Sequence, residues 1–161
     1  MLRMTKIILI ALVAIWAFMG AFFNLYHWSG TTDAVALTTS MSTFEGGAED
    51  WRATSNPMVI WMGAVFIPIL KLVVGALCAI GVWRMWSARL SDPPTFEAAK
   101  KLALAGCGVA MILLFGGWIV IAETWFELWR SDAFRDAALQ SAFRYGGMIT
   151  LIALFVGAKE S

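Results

Sequence analysis

The sequence predicts an all-α fold: a four-helix transmembrane bundle, N-in/C-in, with short interfacial helices in its two outer loops. Three observations predict it. Of 161 residues, 60% are hydrophobic and only 14% charged, against about 25% charged in soluble domains; mean hydropathy is +0.75. Four apolar stretches, 7–26, 58–82, 102–126 and 143–158, are separated by polar ones, and most approach the length needed to cross a hydrocarbon core of roughly 30 Å. Lys and Arg crowd the segments that such a chain places on one side of the membrane. The whole chain, 1–161, reads as a single integral membrane domain.

Arg3 and Lys6 precede the first apolar stretch, as in a signal peptide. The stretch is long, however, and ends in "FFNLYHW" rather than a small-residue cleavage site, so it reads as an uncleaved span. Ala14, Ala17, Ala21 and Asn24 form its small face. The loop 27–56 carries Asp33, Glu45, Glu49 and Asp50 against Arg52. A short interfacial helix is predicted over 31–41, "FEGGAED" is a turn, and Asn56-Pro57 breaks the chain before the second span.

The second span holds one charge, Lys71, and one proline, Pro68, near its middle. Ala64, Pro68, Lys71, Gly75, Cys78 and Val82 recur at alternating spacings of four and three and share a face. Phe66, Ile69, Val73, Leu77 and Ile80 form the opposite one. Small residues let membrane helices approach closely, so the small face, with its lysine, is predicted to look inward. A lysine near the bilayer midplane costs roughly 2.5–3.5 kcal/mol on insertion scales. Pro68 cannot donate to the carbonyl of Ala64, which predicts a kink one turn from Lys71.

The next connection holds Arg84, Arg89, Lys100 and Lys101. Pro93-Pro94 is expected to end the helical extension and Thr95 to cap a new helix. In the third span Ala103, Gly106, Ala110, Leu114, Gly117, Ile121 and Thr124 form a packing stripe. "ELWRSDAFRDAALQSAFR" then reads as a partly helical interfacial connection, and the last span follows, with Arg144 snorkelling outward. With the N-terminus inside, the inner segments hold seven Lys and Arg and the outer loops four: Arg52, Arg130, Arg135 and Arg144. Trp28, Trp51, Trp61, Trp125 and Trp129 then mark the outer interface, and Trp83 and Trp86 the inner one.

Lys71 is the sharpest candidate, because an intramembrane charge marks an ion path, a ligand or a partner. The alternative is a lysine that only fixes packing. Glu123 is the one acid placed to meet it, but lies within a turn or so of the outer end of its span, well above Lys71. Glu123 and Glu127, with Arg130 nearby, suit a cation or a proton path; a solvated helix end is the expected reading. His27, between Tyr26 and Trp28, is expected to be an interfacial anchor, and Cys78 and Cys107 to be packing residues. No CxxC, Cys/His cluster, phosphate-cradling glycine loop, HExxH or GxSxG is present, and one His gives no bis-histidine haem site within a single copy. No enzyme, metal or cofactor is therefore expected, although a bound lipid or quinone is compatible with the chain. A net charge of +1 gives no electrostatic case for nucleic acid.

Several segments carry a resemblance: Asn24 at the end of the first span, "MSTF" at 41–44, "WRA" at 51–53, "ALCAIG" at 76–81, "ETWFELWRS" at 123–131 and "AFR" at 142–144. Over most of its length the chain resembles the bacterial domain-of-unknown-function 2165 family of predicted small integral membrane proteins. The resemblance implies the four-span fold and no established activity. It also implies departures: an acid usual in the second span is Lys71 here, and the acid of the third span falls at Glu123, one place before Thr124. "ALTTSMS" lacks a usual His and Asp.

The expected function is a non-catalytic integral membrane subunit, packing against a larger complex of respiratory or photosynthetic type or against copies of itself. Small faces on three helices and a buried lysine without an acid of its own support it. The second reading is a small transport or channel module with a polar path at Lys71 and Glu123, and the third a quinone- or lipid-binding anchor. Lys71, Pro68 and Glu123 form the candidate intramembrane site, and Trp125, Trp129, Arg130 and Arg144 are candidate interfacial contacts. The expected location is the bacterial inner membrane, multi-pass, with both termini cytoplasmic.

Overall fold

The computed structural model describes residues 2–160, and among them all regular structure is helical. Helix α1 is Leu2–Tyr26, α2 Trp28–Thr39, α3 Pro57–Ser87, α4 Pro93–Ala99 and α5 Lys101–Met111. Helix α5 runs on as π-helical turns over Ile112–Trp125; short helical turns at Leu128–Arg130 and Arg135–Leu139 lead into α6, Gln140–Gly157. Three helices are long and apolar enough to cross a membrane: Leu2–Tyr26, Pro57–Ser87 and Pro93–Trp125. Helix α6, with 18 residues, is outside that set.

Local chemistry sets the helix starts. Asn56 accepts a hydrogen bond from the Met58 N–H at 2.9 Å, and Pro57 takes the first turn of α3, where no amide is needed. The expectation for Pro93-Pro94 is corrected in the same way. Asp92, not Thr95, caps α4, accepting from the Thr95 hydroxyl at 2.6 Å, and the prolines open the helix. The interfacial helix α2 also starts earlier than predicted, directly after a break at His27. Pro68 is buried inside α3, which continues through it.

Helix α3 lies between α1 and α5, and its predicted inward face, Ala64, Pro68, Gly75 and Cys78, is buried. The backbones come very close where α3 meets α5: a Cβ on Gly81 would lie 2.7 Å from the Ala103 Cβ, and one on Gly106 would lie 2.6 Å from the Cys78 sulfur. Cys78 and Cys107 are buried free thiols in this contact.

The third span departs from its predicted stripe. Ala103, Gly106, Ala110 and Leu114 are buried, but Ile121 and Thr124 face outward. From Ile112 onward the turns widen, with Phe126 N–H bonding back to Ile121 and the Thr124 hydroxyl to Ile119, five residues away. Burial then follows a four-residue step through Leu114, half-buried Trp118, Ala122 and Phe126.

Both described chain ends and the α3–α5 connection meet at one end of the bundle. Lys6 donates to the Ala158 carbonyl at 2.8 Å and to Glu160 at 2.6 Å. Lys100 donates to Glu97 at 2.7 Å and to the Ala158 carbonyl at 3.0 Å. Arg3 bridges Glu160 and the Ser91 carbonyl and lies 4.7 Å from the Phe96 ring. Lys6 is 4% exposed and Lys100 1%. These two lysines, counted in the sequence among the positive charges of the inner segments, are thus buried and paired.

Candidate functional site

Lys71 projects from the middle of α3 toward α1. Gly20 makes room for it: a Cβ there would meet the lysine Nζ at 3.2 Å. The stem passes Gly20, and the ammonium donates to Oδ1 of Asn24 at 2.6 Å, one turn further along α1. Asn24 is itself oriented. Its Nδ2 donates to the Thr31 hydroxyl at 3.1 Å, and that hydroxyl donates to the Asn24 carbonyl at 2.9 Å. Asn24 therefore presents its amide oxygen to the lysine, because its nitrogen is occupied by Thr31.

No salt bridge reaches Lys71 among the described residues. The expectation that its own chain offers no counter-charge stands, with one correction: Asn24 supplies a neutral acceptor within the chain. Beside the amine is a cavity of about 510 Å3 lined by Trp16, Thr38, Trp118, Ser141 and Tyr145. Its wall is mostly apolar, with five aromatic side chains, one cation and the hydroxyls of Thr38, Ser141 and Tyr145.

Glu123 does not share that cavity. It lines a separate groove of about 1060 Å3 with Arg144, between the π-helical turns and α6. Leu114 and Ala142 form part of both walls and stand between the two spaces. The structure thus does not bring Lys71 and Glu123 together.

Glu127 has a different fate from Glu123. It adopts a left-handed backbone, φ 49°, a conformation that costs a residue with a Cβ about 1–2 kcal/mol. There Arg52 and Arg130 hold its carboxylate at 2.8 and 2.9 Å. Their hydrogen bonds, Arg52 first, lower its pKa below the usual carboxylate range. Arg52 also pairs with Asp50 at 2.8 Å, and its hydrogen bond lowers the Asp50 pKa to about 2. The cation or proton path set beside the expected solvated helix end loses Glu127, which two arginines occupy, and Glu123 stands elsewhere. Trp125 packs edge-on against Trp51, and Trp129 and Arg130 are exposed on the same platform. His27 is exposed, stacked on Phe23 and edge-on to Tyr26. Among the described residues no group of three or more His, Cys, Asp or Glu is placed to hold a metal.

A family model described as "Predicted small integral membrane protein (DUF2165)" matches residues 2–159. The chain belongs to this family. No curated protein and no solved structure matches it.

In this DUF2165 protein four of the segments that carry the resemblance supply residues of the two features just described. "MSTF" supplies buried Met41 and the Phe44 ring, which lies 4.6 Å from the Arg130 guanidinium. "WRA" supplies Arg52; "ETWFELWRS" supplies Trp125, Glu127, Arg130 and buried Ser131. Asn24 holds Lys71. Arg52 and Asn24 are the residues whose roles the sequence alone did not show. An unpaired arginine in an acidic loop, and an amide in an apolar helix, were the available signals.

Proposed function

We propose that this DUF2165 protein is a non-catalytic binding protein of the bacterial inner membrane whose Lys71 cavity receives an amphiphile with an anionic head group. One observation carries the reading: an ammonium with only a neutral amide as acceptor opens onto an aromatic-walled space of about 510 Å3. Ligand pockets commonly span about 300–1,000 Å3. An anionic head at Lys71 offsets the cost of holding that charge at depth, and the rings of Trp16, Trp118 and Tyr145 suit an apolar tail.

The chain crosses the membrane four times in this proposal, with both termini cytoplasmic. Helix α6 runs from the loop end, where Ser141 lines the Lys71 cavity, to the terminal end, where Ala158 meets Lys6 and Lys100. Its 18 residues reach about 27 Å, close to a bilayer core of roughly 30 Å. The excess of Lys and Arg at the terminal end supports the orientation.

Tryptophan fluorescence tests the binding directly. Dibrominated stearate titrated into nanodisc-held protein should quench Trp16 and Trp118 saturably, and the saturable part should vanish in Lys71→Met. Equal quenching in both forms refutes the reading.

A second reading is supported by the loop-end platform, where Trp51, Trp125 and Trp129 stand exposed beside Arg130. In it the protein is an accessory subunit of a larger membrane complex, or assembles with itself. Purification in mild detergent, followed by mass spectrometry, should then recover stoichiometric partner subunits or a homo-oligomer, and Trp129→Ala should release them.

A further inference from the structure

The groove of about 1060 Å3 beside Glu123 is a second site, with different chemistry. Ile112, Phe115 and Ile119 line it from the third span, and Phe143, Gly147 and Thr150 from α6. Its α6 side is open because glycines leave the backbone bare: a Cβ on Gly147 would meet nothing within 4 Å. Two charges line the same groove. Glu123 lies two residues before the end of the π-helical turns at Trp125, and Arg144 lies in the second turn of α6; both are at the loop end of the bundle.

Neither charge is neutralised by the chain. Glu123 makes no hydrogen bond or ion pair among the described residues, and Arg144 donates only to the Ser141 hydroxyl at 3.1 Å. They form no ion pair with each other. A carboxylate and a guanidinium that line one apolar groove without pairing complement one kind of guest: a head group with an ammonium and a phosphate, followed by acyl chains. A primary ammonium suits Glu123, because it donates charge-assisted hydrogen bonds that a quaternary one does not. Arg144 offers a planar fork to the phosphate.

We propose that this groove binds a bilayer phospholipid of the phosphatidylethanolamine type, its ammonium on Glu123 and its phosphate on Arg144. The site is independent of the Lys71 cavity, from which Leu114 and Ala142 separate it.

The test uses the full chain with Lys71→Met as its parent, so that an anionic guest of the Lys71 cavity does not enter the count. It is held in nanodiscs of equal parts phosphatidylethanolamine and phosphatidylglycerol, partially stripped with detergent, with native mass spectrometry of the lipid retained. The parent should keep phosphatidylethanolamine above its bulk share. Glu123→Gln added to it should bring the two lipids to parity, Arg144→Gln should lower retention of both, and Gly147→Trp should empty the groove. Bulk-ratio retention by the parent, or an unchanged preference on adding Glu123→Gln, overturns the proposal. Glu123→Gln decides the matter even if Gly147→Trp fails to fold, since it leaves the groove walls intact.

Discussion

Lys71 and Asn24 lie 47 residues apart in the chain and meet at 2.6 Å, an ammonium on a carboxamide inside a helical bundle. Each fixes the other: Thr31 turns the amide so that its oxygen faces the lysine, and Gly20 leaves the lysine room to reach it.

Asn24→Leu should therefore destabilise the protein by about 1 kcal/mol, since it leaves a part-buried donor without its acceptor. Lys71→Met should insert as well as wild type and be less harmful. In the double variant the two losses should not add. Unfolding of all three variants in mixed micelles, analysed as a double-mutant cycle, gives the coupling directly.

Gly106→Ala should cost about 1–3 kcal/mol, because the new methyl meets the Cys78 sulfur where α3 and α5 are closest. Gly147→Ala, with open space at its Cβ, should stay within about 0.5 kcal/mol of wild type. Thermal unfolding in detergent separates the two.

The knot at the terminal end should loosen in acid. Burial alone would raise the Glu160 pKa, but the bonds from Lys6 and Arg3 outweigh it and the net shift is downward from 4.5. Carboxyls with folded-state pKa values below the unfolded one stabilise fully above about 4.5, and that contribution is lost as pH falls through the lowered values. Amide exchange of residues 155–160 should stay slow from neutral pH to about 5 after correction for intrinsic rates, then accelerate. Glu160→Gln should show fast exchange throughout.

Much of the bundle could be read from the residue pattern, because burial in membrane helices follows small residues. Ala14, Ala17 and Ala21, and Ala64, Gly75 and Cys78, are all buried as their spacing predicts. The pattern failed beyond Leu114, where apolar residues on every side left nothing to mark the change from α to π turns. Charge pairing was also hidden. Nothing in the sequence showed that Ala158 and Glu160 close over Lys6 and Lys100, and Asn24 met Lys71 only once the relative depths of α1 and α3 were fixed. Arg52 carried no signal of its reach to Glu127, 75 residues away.

The central claim, that Lys71 holds an anionic head group, is tested most directly by native mass spectrometry of wild type and Lys71→Met purified side by side from the same membranes. The wild type should carry an anionic amphiphile that the variant lacks, while zwitterionic lipid adducts persist in both. Identical anionic adducts on the two proteins would contradict it.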